Sequence, residues 1–369
     1  MIETEDDAPA DGAEGLEGYE ASPSGSLDGY PLDELAIRDE RRTAEDVVRR
    51  IEQGRFVMDP DFQRGFVWDT GKQSRLIESI LMRIPLPVFY VAEDAKGRLI
   101  VVDGRQRLTT LQRFLNGELK LELKGRSDLD GKAISNLDVR LQNRVQDCQL
   151  LFYIIDHAVP ERARLDIFER VNGGEVLTRQ QMRNAIYNGP ATLLLREEAE
   201  SDLFREATGG SLKPGKMQDR ELVNRFCSFD LLPLETYRGD MDEWLAASLK
   251  LLNQADDVTR HGVRQRLRRG LRNNLLTFKQ HAFRKLPRAG SSRRSLINAS
   301  LFDVMSTGLA RYDEDLVRSR KAALKQALHA CLQDETFQRA ITYGPNTPKE
   351  VRTRFEIGHG MLQDVLGAQ

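Results

Sequence analysis

The residues with the clearest chemical potential lie in the stretch Asp103-Gly-Arg-Gln-Arg107. The apolar segment Leu99–Val102 precedes it, and leucines at helical spacing follow it, so we expect a sharp turn from a strand into a helix. Gly104 permits the backbone conformation that such a turn needs. The N–H groups at the helix start, beside Arg105 and Arg107, would then form a site for the phosphates of a nucleotide or of a nucleic acid.

An ordinary capped helix is the alternative interpretation of these residues. Asp103 would be the N-cap, Gln106 would occupy the third helical position, and both arginines would be solvated. This alternative gives no reason for two cations at the positive end of a helix dipole, where they are unfavourable unless an anion binds. The residues alone leave both interpretations open.

A second candidate stretch is Phe62-Gln-Arg-Gly-Phe-Val-Trp68. Its aromatic residues could stack on a base while Arg64 binds a phosphate. We favour Phe66 and Trp68 as core residues and Arg64 as the functional one, because Gly65 predicts a tight loop that exposes it.

A third candidate stretch runs from Phe168 to Ala185 and contains Asn172-Gly-Gly174. Those glycines let a ligand approach the backbone, and charged residues such as Glu169 and Arg170 surround them. A helix C-cap followed by a new N-cap at Thr178 explains the glycines equally well, but it does not explain the density of charge.

The fourth candidate is basic: residues 260–294 hold twelve Lys and Arg and no Asp or Glu. Arginines recur one helical turn apart, so they line one helix face. We predict that this face contacts the backbone of DNA, with an acidic partner or the acidic N-terminal tail as the alternatives and a membrane surface as a weaker one. The predicted DNA contacts are Arg260, Arg264, Arg268, Arg269 and Arg272.

Charge is unevenly distributed along the 369 residues, although the net charge is only −2. Residues 1–33 carry ten acidic and no basic residues, and we expect them to be a disordered acidic tail. The remainder holds 55 basic and 47 acidic residues, which favours a polyanionic partner; a merely solubilising tail is the alternative.

Several classes of protein and of site are disfavoured. Three cysteines without Cys-x-x-Cys spacing and five scattered histidines argue against a disulfide framework, a zinc site or an HNH-type finger. We therefore assign no metal-ligating residues. The chain has no Walker A motif, no signal peptide and no apolar run of transmembrane length, so we expect a cytoplasmic protein with no membrane partner.

Hydrophobic periodicity predicts an α+β fold in two domains. Residues 34–190 alternate strands and helices, including a hairpin at 88–91 and 99–102 and a strand at 149–155. Residues 191–369 show helical periodicity almost throughout, with helices expected up to residue 341.

The ordered set of motifs resembles the GmrSD-type family (domain of unknown function 262). Resemblance extends over residues 40–355, and the motifs that carry it are Phe62–Trp68, Pro85-x-Pro87, Asp103-Gly-Arg-Gln-Arg-Leu-Thr-Thr-Leu111, Phe168-x-Arg-x-Asn172, Asp219–Phe226 and Tyr237–Leu245. The resemblance implies a ParB/sulfiredoxin-like N-terminal domain linked to NTP binding and hydrolysis in modification-dependent restriction and antiphage defence.

Two departures from the family pattern qualify this expectation. The family motif is usually Asp-Gly-Gln-Gln-Arg, and Arg105 replaces its first glutamine here, which bears on hydrolysis more than on phosphate binding. Many relatives also carry an HNH nuclease domain after the helical part, whereas His359 lies in Gly-His-Gly without the expected partners. We therefore expect a sensing or NTPase subunit, with cleavage supplied by a separate nuclease.

The resulting expectation is an NTP-binding, DNA-associated protein with Mg²⁺ as a candidate cofactor. The sequence does not determine its oligomeric state. The alternatives are a non-catalytic DNA-binding or adaptor module and a nuclease that acts at the ParB-like site. The predicted catalytic residues are Asp103, Gln106, Arg107 and Glu169. The predicted phosphate-binding residues are Arg64, Gly104, Arg105, Arg107, Thr109, Arg170 and Asn172.

Overall fold

The computed structural model describes residues 16–18, 37–58, 68–94, 96–159, 161–171, 178–285 and 295–367. The chain divides into two compact units. We call Ser24–Asn188 the α/β unit, and Gly189–Gln369 together with Met1–Pro23 the helical unit.

A five-stranded mixed sheet forms the centre of the α/β unit. In space its strands lie in the order β2-β6-β4-β5-β3; β2/β6 and β4/β5 are antiparallel, whereas β6/β4 and β5/β3 are parallel. The strands are β2 (Ile37–Thr43), β3 (Phe56–Val57), β4 (Phe89–Glu93), β5 (Leu99–Asp103) and β6 (Gln149–Ile155).

Helices cover both faces of this sheet. Val101 packs in a cluster with the apolar faces of the first three helices, whereas its neighbour Val102 packs with the last two. Burial on both faces explains why the central strands are continuous apolar runs. The helices are α1 (Ala44–Glu52), α2 (Thr70–Leu81), α3 (Arg105–Leu115), α4 (Val139–Gln146), α5 (Glu161–Val171) and α6 (Arg179–Ile186).

The helical unit packs its longer helices around α12, which is buried along its whole length. Its helices are α7 (Pro190–Ala199), α8 (Asp202–Thr208), α9 (Gln218–Leu231), α10 (Met241–Gln254), α11 (Asp257–Phe278), α12 (Ala299–Leu309), α13 (Glu314–Ser319), α14 (Lys321–Cys331), α15 (Glu335–Thr342) and α16 (Pro348–Leu366). Two short strands, β1 (Leu16–Glu17) and β7 (Ile297–Asn298), pair in parallel.

The α+β class with a helical C-terminal part is confirmed, as are the hairpin, the strand at 149–155 and the N-cap at Thr178, which forms a capping box with Gln181. Besides the two-residue strands β1, β3 and β7, two longer elements were not predicted. The edge strand β2 was missed because its sequence, Ile-Arg-Asp-Glu-Arg-Arg-Thr, is charged and half-exposed, as edge strands often are. The helix α16 was missed, although its buried residues recur at helical spacing.

Two predicted features are wrong in detail. The pattern of residues 119–137 predicts short strands and loop, but this segment contains a 3₁₀ turn at Ile134–Asn136 and no strand. Residues 16–18 fall within the predicted disordered tail, yet Leu16 and Glu17 pair with β7 and Glu17 forms an ion pair with Lys285. The rest of residues 1–33 lies outside the described residues.

No helix within the described ranges combines the length and the apolar character needed to cross a membrane.

Candidate functional site

The turn between β5 and α3 depends on Gly104. Its φ is +102°, in the left-handed region, and it is the N-cap of α3, so the alternative interpretation with Asp103 as the N-cap is wrong. A Cβ at this position would overlap the Phe89 ring and lie 3.3 Å from the Arg107 guanidinium. Only glycine therefore fits this conformation and this space.

The start of α3 differs from those of the neighbouring helices. In α1, α2, α4 and α6, a side-chain oxygen of the N-cap accepts a hydrogen bond from the backbone N–H of the third helical residue; these N-caps are Thr43, Asp69, Asp138 and Thr178. Gly104 has no side chain to serve in this way, and the first turn of α3 contains no acidic residue. The helix therefore begins with basic Arg105 where an anion would be favourable.

Arg107 connects this turn to the segment that enters β4. Its guanidinium donates to the Pro87 carbonyl, to the Val88 carbonyl at 3.1 Å and to the Asp103 carboxylate at 2.7 Å. It also lies over the Phe89 ring, 4.3 Å from the centroid. Burial, only partly offset by Asp103, lowers its pKa, and the side chain is just 11% exposed.

These contacts change the role that we assign to Arg107. A direct bond to phosphate, as predicted from the sequence, would require breaking bonds that the guanidinium already makes. In the described geometry Arg107 holds Asp103 and the Pro87–Val88 backbone around the turn. It is therefore a positioning residue in this structure.

Gln106 likewise positions the chain. Its Oε1 accepts a hydrogen bond from the Trp68 N–H at 3.3 Å, and the Trp68 carbonyl accepts one from Gln73 at 2.9 Å. Gln73 in turn accepts a hydrogen bond from Arg113 at 2.8 Å. These bonds fix the residue that ends the Phe62–Trp68 motif at the first turn of α3.

Asp103 retains an exposed carboxylate after pairing with Arg107. The side chain is 39% exposed, so it can reach solvent or a bound ion. Arg105 is the first residue of α3 and is half-buried, as is Thr109 on the second turn. The turn thus combines the Asp103 carboxylate, the basic residue Arg105 and the N-terminus of α3.

The remaining predicted residues cannot be placed around this turn. Arg64 and Asn172 lie outside the described residues. Glu169 and Arg170 belong to α5, but the structure describes only their backbone. Their assignment to the site stays a prediction.

Sequence reasoning missed the burial of α6, a polar helix near the C-terminal end of the α/β unit. Every residue of α6 is buried, including Arg183 and Asn184, and Arg183 donates to Gln180 at 2.9 Å. Arg179 pairs with Asp166 of α5 at 2.7 Å. The signal is the density of polar residues in Thr178–Asn184, which the sequence pattern alone indicates only as charge around a loop.

In the helical unit, α11 carries the five arginines predicted to contact DNA. Arg268 donates to both oxygens of Glu198, at 2.8 and 2.9 Å, and Glu198 is completely buried on α7. Arg264 pairs with Glu197 and lies 3.9 Å from Glu198.

The other arginines on this helix extend the pattern. Arg260 pairs with Asp257 at 2.6 Å, and Arg272 lies 3.9 Å from Glu314. Arg269 has no ion pair among the described residues. The expectation that this helix lacks counter-charges is therefore wrong, because the carboxylates come from outside residues 260–294.

One group of potential metal ligands occurs among the described residues. The ligand atoms of Glu93, Asp156 and His157 lie within 4.8 Å of one another. Arg38 already pairs with Glu93 at 2.8 Å and with Asp156 at 3.5 Å. Since a cation already compensates these carboxylates, their geometry does not support a metal site.

The family comparison agrees with the motif resemblance. Residues 44–188 match the family model described as GmrSD restriction endonuclease, N-terminal domain. This segment contains the Gly104 turn, the six described helices α1 to α6 and strands β3 to β6. No curated protein and no solved structure matches the chain.

Proposed function

From the GmrSD N-terminal domain at residues 44–188, we propose that this protein acts in a restriction or antiphage defence system and that its α/β unit binds a nucleoside triphosphate. The observation that supports nucleotide binding is the start of α3. Glycine caps this helix, no acidic residue lies in its first turn, and Arg105 begins it. Phosphate supplies the negative charge that such a helix start favours.

The residues around the turn have distinct roles in this proposal. The backbone at Gly104 and the first turn of α3 contacts phosphate, and Arg105 and Arg64 neutralise its charge. Arg107 and Gln106 hold the surrounding segments in place, as their hydrogen bonds indicate. Asp103, with its exposed carboxylate, is positioned to bind a Mg²⁺-coordinated or attacking water.

Hydrolysis is the finer part of the proposal. Phosphoryl transfer depends mainly on positioning and on neutralising developing charge, which Arg105 and a preorganised turn can supply. Asp103 is the described carboxylate at the turn that could orient water. Its second task, accepting a hydrogen bond from Arg107, has to be kept separate in any test.

Calorimetric titration of the full chain with Mg²⁺ and each nucleoside triphosphate tests binding. We expect Arg105→Ala to weaken binding about tenfold, the loss of one charge-assisted contact. Arg75→Ala is the matched control, because Arg75 is an exposed arginine on α2. Equal affinities for the native chain and Arg105→Ala would contradict the assignment.

Turnover then separates binding from hydrolysis. We expect Asp103→Asn, which retains an acceptor for Arg107, to bind nucleotide like the native chain but to lose most phosphate release. If neither chain turns nucleotide over, with or without DNA, the module is a nucleotide sensor and the hydrolytic role is wrong.

DNA association is a second candidate function. It is favoured by Arg269, which lacks an ion pair among the described residues, and by the incomplete burial of Arg268 and Arg272, whose side chains are 39% and 48% exposed. Binding of a fluorescent duplex should weaken steeply as salt rises. Affinity that does not change with salt would contradict contact with the DNA backbone.

A further inference from the structure

The short N-terminal strand β1 docks on the helical unit at a defined place. Leu16 pairs with Ile297 and Glu17 with Asn298, in parallel. On its other side, β7 bridges to Arg284 through an antiparallel pair at Ile297. The segment 16–18 therefore completes an edge that β7 would otherwise expose.

Side-chain contacts reinforce this pairing. The Lys285 ammonium donates to Glu17 and to Thr342, each at 2.6 Å. The ion pair is partly exposed, with side-chain exposures of 23% for Lys285 and 33% for Glu17. Solvent and salt therefore screen it.

A polar side chain with incomplete hydrogen bonding lies beside the segment 16–18. Gly18 has a φ of +74°, and a Cβ built there would lie 3.9 Å from the Ser300 hydroxyl. Ser300 is completely buried, and its hydroxyl has no hydrogen-bond partner among the described residues.

The sequence segments that contain Glu17 and Lys285 have opposite charge. Glu17 is one of ten acidic residues in the first 33, which contain no basic residue, and Lys285 is one of twelve basic residues in 260–294. The arginines of α11 take their carboxylates from helices, such as the fully buried Glu198 of α7. Lys285 instead takes its carboxylate from a two-residue strand, which is easily detached.

We propose that β7 and Lys285 form a docking site for the acidic N-terminal segment of this chain, and that DNA competes with this segment for Lys285. The docked state compensates Lys285 with Glu17, whereas the DNA-bound state compensates it with phosphate. The competition rests on the proposed DNA association, but the docking does not. Salt weakens both contacts.

Hydrogen exchange on the full chain tests the docking. We expect Lys285→Ala to increase exchange in residues 16–18 and 297–298 severalfold, while Lys325→Ala, which removes an exposed lysine on α14, leaves it unchanged. The charge exchange Glu17→Lys with Lys285→Glu should restore protection that either change alone removes. Unaltered exchange in Lys285→Ala, or no recovery in the double variant, would overturn the docking site.

Duplex titration by fluorescence anisotropy tests the competition. We expect Glu17→Gln to bind a duplex about threefold more tightly than the native chain at low salt, the size of effect expected for one partly exposed ion pair. Glu118→Gln, which removes an exposed carboxylate from the α/β unit, should bind like the native chain.

The two experiments fail in distinguishable ways. Equal duplex affinity in the native chain and Glu17→Gln overturns the competition while the DNA association stands. A duplex that binds neither chain overturns the DNA association and the competition together, and hydrogen exchange still decides the docking site.

Discussion

The turn at Gly104 and the helix α11 both carry arginines that a sequence pattern predicts to be open to phosphate. At the turn, Arg107 pairs with Asp103, four residues away, and with two backbone carbonyls. On α11, Arg268 pairs with Glu198, 70 residues away. Both guanidinium groups have partners, but only Arg107 has a counter-charge within its own motif, whereas Arg268 takes its counter-charge from another helix.

This difference shows which ion pairs can be recognised from a short stretch of sequence. Counter-charges at helical spacing, such as Asp103 and Arg107, can be recognised from the sequence. Counter-charges from packed helices cannot, because their position depends on the tertiary fold. A run of basic residues therefore predicts a basic segment, and only the fold decides whether it forms a basic surface.

The largest expected effect is at the turn. Gly104→Ala places a side chain in a left-handed conformation and against the Phe89 ring, so we expect the free energy of unfolding to fall by about 3–4 kcal/mol. Gly117→Ala is the matched control, because its φ is +76° but no atom lies within 4 Å of its Cβ position. It should cost about 1 kcal/mol, and urea denaturation measures both.

Equal losses at Gly104 and Gly117 would show that backbone conformation alone matters at the turn. The close approach of Phe89 and Arg107 would then not constrain the site. The contrast between a tightly packed turn and the helix α11 would then have no support at the turn.

A slightly smaller effect is expected on α7. Glu198→Ala removes a buried carboxylate that accepts hydrogen bonds from Nε and Nη2 of Arg268. We therefore expect the free energy of unfolding to fall by about 3 kcal/mol. Glu197→Ala should cost less than about 1 kcal/mol, since Glu197 is 43% exposed and its pair with Arg264 is screened. Urea denaturation of the two variants measures the difference. Similar losses would mean that the burial of Glu198 does not increase the contribution of its ion pair to stability.

Much of the fold was predictable because local patterns determine it. The strand Gln149–Ile155 and the Thr178–Gln181 capping box follow from periodicity and hydrogen-bonding chemistry. The turn at Gly104 was predictable too, since an apolar strand, a glycine and a helical pattern follow one another.

The rest depended on contacts between distant residues. The carbonyls of Pro87 and Val88 as partners of Arg107 have no signature in the Asp103 motif, because backbone groups are the same in every residue. The pairing of Leu16 with Ile297 joins residues 281 positions apart in the sequence. Neither could be deduced from spacing along the chain.

His359 in the helical unit gives the opposite case, a half-buried basic group with no counter-charge among the described residues. Burial, with a smaller contribution from Arg311, lowers its pKa to about 4, and its Nε2 has no hydrogen-bond partner among the described residues. The unfolded chain binds a proton as the pH falls through 6.5, whereas the folded chain binds one only near pH 4. The free energy of unfolding should therefore fall by about 2 kcal/mol between pH 6.5 and 4 on account of this group.

Denaturation at several pH values measures this dependence. The native chain and His329→Gln, which changes an exposed histidine on α14, should lose stability alike as the pH falls. His359→Gln should lose about 2 kcal/mol less over the same range. Parallel profiles for all three chains would mean that His359 is protonated at its ordinary pKa.

The smallest expected effect separates two arginines on α11. Arg266 binds Asp230 through both carboxylate oxygens, with bonds of 2.7 to 3.0 Å, whereas Arg269 has no ion pair among the described residues. If α11 contacts DNA, Arg269→Ala should reduce the slope of log affinity against log salt by about 1, and Arg266→Ala should leave it almost unchanged. Equal slopes for the two variants would mean that ion pairs within the protein do not decide which arginines of this helix reach phosphate.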